Sequence, residues 1–193
     1  MTGNINIFVW STIICWTLFA ACWLLLRNET KENVSTRTFR QRNMGFLGYL
    51  IIFSLLYLPF FVTNRFVFRI IPPYAALQSV GALLCAAGVG ICIWSRIVLG
   101  WNWSGGVTAK KDHELVIKGP YRLVRHPIYT GFICAVAGTC LVTGSLPGIV
   151  ISCVYTLGLC MKISDEEILL SNVFPDSYAT YQQHTRKLIP FIW

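Results

Sequence analysis

Five apolar blocks, at about 5–26, 44–62, 73–99, 128–143 and 146–163, leave this chain little choice of solvent. At a rise of about 1.5 Å per residue, the first three are long enough to cross a hydrocarbon core of about 30 Å. The last two are shorter. Gly144, Ser145, Pro147 and Gly148 separate them, which predicts a helical hairpin with a tight turn. Within lipid, a backbone must satisfy its own polar groups, so the expectation is an all-α integral membrane bundle of about five transmembrane helices. Composition agrees: 55% of residues are hydrophobic and 12% charged, and the mean hydropathy is +0.59. The first block carries no basic segment before it and is longer than the apolar part of a cleaved leader, so it reads as a retained span.

The charges give orientation. Arg27, Lys31, Arg37, Arg40 and Arg42 lie between the first two blocks. Arg96, Lys110, Lys111, Lys118, Arg122 and Arg125 lie in or near the loop after the third, and Lys162, Arg186 and Lys187 follow at the end of the fifth. Arg65 and Arg69 alone fall on the other side, so fourteen of sixteen cations occupy alternate loops. By the positive-inside rule the N-terminus is outside and the C-terminus cytoplasmic. The net charge of +8 is thereby accounted for as a topology signal. Nucleic acid is not expected as a partner, since no basic amphipathic run with interleaved aromatics is present; the bilayer is.

Eight cysteines all fall inside apolar blocks, without CxxC spacing or a His pair, which signals neither disulfides nor a metal site. Three pairs (Cys15 and Cys22, Cys85 and Cys92, Cys153 and Cys160) are seven apart, so each pair shares a helix face where a compact side chain lets a neighbouring helix approach. No repeat or linker divides the chain. It reads as one membrane domain, 1–193, with three spans in 1–99 and nearly all the polar sequence in 100–193.

Two groups of residues carry potential chemistry. Arg125, His126 and Pro127 stand at the entry to the fourth block with Tyr129 just inside it. Ionisable groups at that level either snorkel to the interface or bind something. Glu166 and Glu167 follow Lys162 and Asp165 at the end of the fifth block, where the hairpin would return them to the level of His126. They form either a solvated acidic stretch favoured by a helix dipole or one side of a site holding a cation between a carboxylate and aromatic faces. Beyond them the sequence predicts a helical stretch at 165–174, a break at Pro175 and a short helix around 178–184. Trp101 and Trp103 read as interfacial anchors.

The segment GPYRLVRHPIYTG from Gly119 to Gly131 is preceded by DHELV at Asp112–Val116. It is followed by EEILL and by a Phe-Pro-x-x-Tyr-x-x-Tyr tail at Phe174–Tyr181. This combination resembles the isoprenylcysteine carboxyl methyltransferase and phospholipid methyltransferase superfamily, over about half the chain from Arg96 onward. The resemblance implies a catalytic half at 100–193 and a cytoplasmic pocket for S-adenosyl-L-methionine. By motif position, His113, Leu115, Val116, Tyr121, His126, Pro127, Tyr129 and Glu166 would contact that cofactor, with Arg125, His126, Tyr129 and Glu166 at the catalytic centre. Lys162, Asn102 and Arg122 would face the acceptor. Lys162 stands where the carboxyl methyltransferases carry an Arg, which keeps the charge but loses the bidentate fork suited to a carboxylate. Gly106 stands where some relatives have a side chain that reaches the cofactor.

The implied reaction is methylation of a lipid-embedded acceptor, first a prenylated cysteine carboxylate and alternatively the amine head group of a phospholipid. A carboxylate nucleophile is already ionised near neutral pH, whereas an amine must first lose a proton. A soluble-type methyltransferase would need a Gly-rich turn between strand and helix. Gly88 and Gly90 instead lie inside a span, where they read as close helix packing, and Gly105 and Gly106 lie in a loop. Two other classes remain open: a membrane scaffold that kept the fold without chemistry, and a nicotinamide-dependent membrane reductase.

Overall fold

The computed structural model describes residues 6–26, 51, 53–57, 69–103 and 114–190. The second apolar block lies mostly outside the described residues, as do Arg27–Arg42, Arg65, the Gly105–Gly106 turn, Lys110, Lys111 and His113; within that block, residues 51 and 53–57 are helical. The described chain is helical, with isolated bridges at Arg69–Ser145 and Val124–Arg186 in place of any sheet among the described residues. Its helices are α1 (Ile7–Leu25), α2 (Ala75–Leu99), α3 (Pro127–Thr143), α4 (Leu146–Val173) and α5 (Pro175–His184). Three are long and apolar enough to cross a membrane: α1, α2 with the 3-10 turn that extends it to Asn102, and α4. With 17 residues, α3 is a shorter apolar helix.

The α2 and α3 helices run antiparallel in the closest packing of the molecule, and the reason is visible in their glycines. Gly81 meets Gly138 and, seven residues on, Gly88 meets Gly131. A Cβ on Gly131 would sit 2.5 Å from the carbonyl oxygen of Gly88, and one on Gly81 2.7 Å from that of Gly138. Helices in lipid gain little from excluding water, so close backbone approach supplies the attraction. Of the three expected cysteine faces, that of Cys85 and Cys92 is buried against α3, whereas Cys153 on α4 is exposed. Gly90 differs from its expected packing role, because one residue-pair around the helix from Gly88 its hydrogen faces open space.

Around this pair, α1 runs parallel to α2. Asn6 caps α1 and donates to Gln78 at one end, and the Leu26 carbonyl accepts from Arg96 Nη2 at 2.6 Å at the other. Trp16, Phe19 and Phe132 interleave edge to face between α1 and α3. Trp16 also donates its indole N–H to Thr139 at 2.9 Å.

The hairpin between α3 and α4 forms as expected. Gly144, at φ 65, ends α3 in the left-handed conformation, and Ser145 caps α4 through the Gly148 N–H. Pro147 and Gly148, expected in the turn, belong to the first turn of α4, where a proline lacks nothing the helix needs. The backbone of Ile70 and the guanidinium of Arg69 fasten this turn end. At the other end α4 is one uninterrupted helix to Val173, so the expected span at 146–163 and the helical stretch at 165–174 are a single element. Ser164, Asp165 and Glu166 contain no breaker, and the helix stops only ahead of Pro175.

Candidate active site

The residues of interest gather where α2 ends, α3 begins and α4 loses its apolar character. Gly119, at φ 56, opens a 3-10 turn over Gly119–Arg122 that buries Pro120 and Tyr121. The chain then runs through Val124, Arg125 and His126, and Pro127 starts α3; His126, at φ −122 and ψ 58, lies outside the helical region that a following proline disfavours. After α5 the chain returns alongside. Arg125 N donates to Arg186 O at 2.7 Å, His126 N to Lys187 O at 3.1 Å, and Thr130 Oγ1 to Leu188 O at 2.7 Å. Tyr181, on α5, completes the stitching by donating to Tyr121 O at 2.6 Å. Burial pushes the phenols of Tyr121 and Tyr181 above their ordinary pKa, so both stay neutral near physiological pH.

Glu166 and Glu167 are consecutive on α4 and therefore point in different directions, each to its own partners. Glu167 is the hub of an ionic cluster. Its Oε1 receives Arg125 Nε at 2.7 Å, and its Oε2 lies 3.2 Å from Lys187 Nζ. The Arg125 and Glu167 side chains are 8% and 10% exposed, and Arg125 also donates Nη1 to Thr185 O at 2.6 Å. Glu166 faces the other way. It accepts from Tyr129 OH at 2.6 Å and lies 3.7 Å from Lys162 Nζ, one turn back on α4.

His126 sits between the two carboxylates, with Nδ1 3.6 Å from Glu166 and Nε2 3.4 Å from Glu167. Neither distance comes with hydrogen-bond alignment at Nε2, so this buried nitrogen has no hydrogen-bond partner among the described residues. The imidazole stacks on the Tyr129 ring, one helical turn away, with centroids 5.8 Å apart. Above the same ring, 5.3 Å from its centroid, lies the ammonium of Lys162. An aromatic face, a carboxylate and a cation thus meet at one point.

The structure therefore brings together Arg125, His126, Tyr129, Lys162 and Glu166 from the sequence-predicted set, with Pro127 buried behind them. Tyr121 is joined to the same framework through α5. Leu115 and Val116 are half-buried on the preceding strand-like segment, and Asn102 Oδ1 accepts from the N–H of Glu114 at 3.5 Å. Arg122 is not part of the cluster. It is exposed and lines a separate hollow with Arg186 and His184. Glu167, expected with Glu166 to return to the level of His126, does so, and its pairing with Arg125 and Lys187 is what the sequence reading lacked. Lys187 was read only as a cytoplasmic cation; the tail pairing that delivers it joins residues about 60 apart, and no local pattern signals it.

At the α2 end, Arg96 is buried, donates Nη1 to Gly100 O at 2.9 Å and lies over the Trp103 ring. A cation here complements the helix C-terminus. Trp103 thus serves as one face of a cation contact, while Trp101 is exposed.

A family profile described as phospholipid methyltransferase matches residues 77–177, just over half the chain. The chain belongs to the phospholipid methyltransferase family. The matched region contains all of α3 and α4 and every member of the cluster except Lys187. Among curated relatives, a protein-S-isoprenylcysteine O-methyltransferase of Schizosaccharomyces pombe is 35% identical over 101 residues, covering 51% of this chain and 43% of that protein. A probable protein-S-isoprenylcysteine O-methyltransferase of Oryza sativa subsp. japonica is 26% identical over 134 residues, covering 68% and 70%. The match thus spans less than half of the yeast relative's length. A solved structure titled as the eukaryotic intramembrane Ras methyltransferase ICMT superposes with a TM-score of 0.64 at 22% identity, over 98% of this chain and 68% of that one. The likeness establishes the fold, and with the apolar helices it makes this an integral membrane protein of that architecture.

Proposed function

We propose that this chain transfers a methyl group from S-adenosyl-L-methionine to a lipid-embedded acceptor, by carboxyl O-methylation of an isoprenylcysteine-like substrate, at a cytoplasmic face. The observation that carries the reading is the junction of Tyr129, Glu166 and His126 at the mouth of the membrane helices, in a chain of the phospholipid methyltransferase family. The residues present suit the cofactor. Glu166 with the Tyr129 face is a cation-recognising pair, held by Lys162 here, and buried His126 is fixed beside it between the two carboxylates. Leu115, Val116, Tyr121 and Pro127 would supply apolar and backbone contacts. Outside the described residues, His113 completes the set.

When bound, the cofactor supplies an electrophilic methyl group on a sulfonium. The protein's own part is alignment and exclusion of water. Arg125, Glu167 and Lys187 fix the tail against the head of α3, so the Tyr129 and His126 rings keep one orientation. Lys162, on the membrane side of Glu166, would turn its ammonium to the acceptor carboxylate. Such a nucleophile needs no base near neutral pH, and none of these residues has to move a proton. An amine acceptor would need one, and His126 between two carboxylates is placed to take it; the same cation-recognising pair would draw an ammonium head group toward it.

The experiment is a transfer assay in reconstituted vesicles with methyl-labelled cofactor, offering a farnesylcysteine and a phosphatidylethanolamine acceptor side by side. Label in a base-labile ester on farnesylcysteine supports the reading, and label only in the amine lipid replaces it with the N-methyltransferase reading. Lys162→Arg should keep or raise farnesylcysteine turnover, while Lys162→Met should raise KM for the acceptor more than for the cofactor.

A further inference from the structure

Extended chain sends successive side chains to opposite faces, and the tail after α5 uses both. Lys187 turns to Glu167, whereas Arg186 lines a hollow of about 230 Å³ with Arg122, Leu123, Gln183, His184 and Pro190. None of the residues that hold the Glu166 and Glu167 carboxylates lines it. Neither Arg122 nor Arg186 forms an ion pair among the described residues, although every other arginine packed at this end of the bundle has a named acceptor. Two guanidiniums facing one small space repel each other unless an anion lies between them, and their planar forks match phosphate oxygens. His184 forms part of the wall, its ring held by Nδ1 donating to Thr180 O at 2.9 Å.

The walls specify the kind of anion. Leu123 is 55% exposed and lines the hollow beside Pro190, and the residue just before that proline, Ile189, is 48% exposed. A soluble phosphate gives no reason for bare aliphatic side chains beside the cations. The hollow lies at the end of the bundle where α3 begins and α2 finishes, the level at which basic and aliphatic side chains meet lipid head groups.

We propose that Arg122 and Arg186 form a binding site for the phosphate of an anionic phospholipid, with Leu123 against the start of its acyl chains. The site does not depend on the methyl-transfer reading. Because the Arg186 backbone is bonded to Arg125, an occupied site would also brace the tail that carries Lys187.

The test is native mass spectrometry of the full chain in detergent, titrated with phosphatidylglycerol and with phosphatidylcholine. The intact protein should retain phosphatidylglycerol at least about fivefold better, and the Arg122→Gln/Arg186→Gln double variant should lose that preference. Arg186→Lys should keep part of it, since the charge remains and the fork does not. If the double variant does not fold, Leu123→Glu, a change at an exposed position, should abolish the preference by placing a carboxylate in the wall. An undiminished preference in a folded double variant or in Leu123→Glu overturns the site. So does an equal loss in Lys118→Gln, an exposed loop cation outside the hollow, which would reveal general surface charge. Displacement of the lipid by equimolar inorganic phosphate overturns the lipid assignment in favour of a free-phosphate site.

Discussion

The α2–α3 seam and the polar cluster at its end hold together by opposite means. Along the seam the polar contacts are uncharged, such as Gln78 Nε2 donating to Val142 O at 3.2 Å, and adhesion comes from removing side chains until backbones touch, at Gly81 with Gly138 and Gly88 with Gly131. In the cluster, two helices, the segment that leads into α3 and the tail meet through charge, with Glu167 receiving Arg125 and Lys187 while Glu166 takes Tyr129 and Lys162. The seam is intolerant of added atoms and indifferent to charge chemistry. The cluster is the reverse: its geometry depends on every partner being present, because an uncompensated buried charge costs far more than a paired one. Fold and site are thus encoded in separate residues that adjoin on one helix, Gly131 of the seam following Tyr129 of the cluster by two positions.

The sharpest way to break this division is to fill the seam. Gly88→Leu drives a side chain into the backbone of Gly131 and Ala135, neither of which can yield like a flexible side chain, so the variant should not give a monodisperse folded protein by size exclusion in detergent. A folded Gly88→Leu protein would show that the helices are not held by this approach. Next in size, Arg125→Ala leaves Glu167 without its closest cation, beside Lys187 and His126, and should cost about 3–5 kcal/mol, read as a large drop in melting temperature with helicity retained below it. Smaller again, Thr139→Val strands the Trp16 indole N–H within the bundle and should cost about 1 kcal/mol. Smallest, Lys187→Gln removes an ion pair whose lysine is one-third exposed and should change stability by at most about 1 kcal/mol. If Lys187→Gln proved as damaging as Arg125→Ala, the hub would rest on the tail and not on the head of α3.

The two regions also differed in how far the sequence disclosed them. Spans and hairpin were readable from apolar length and from Gly144 and Ser145, because bilayer thickness and helix capping act locally. Tyr129 and Glu166 were readable only as members of a motif, and the reason for each emerged when the hairpin placed them 2.6 Å apart. Glu167 was underrated because an acidic pair at a helix looks the same whether solvated or bonded. Arg122, expected to face the acceptor, lies on the 3-10 turn over Gly119–Arg122 and lines a hollow separate from the Tyr129–Glu166 pair, a placement no local pattern signals. Gly90 was misassigned for a rotational reason: two residues from Gly88 is about 200° around a helix, on the opposite side from the seam.

Central to the account is the claim that Glu166, braced by Tyr129, holds the cofactor. Calorimetric titration of the detergent-solubilised chain with S-adenosylhomocysteine, side by side with Glu166→Ala, tests it most directly. Saturable binding by the unaltered chain that weakens at least about tenfold in a variant with unchanged melting behaviour is the predicted result. Equal affinity in the two would contradict the role of Glu166, and no binding by the folded, unaltered chain would contradict the methyltransferase reading and turn attention to the scaffold and nicotinamide-reductase classes.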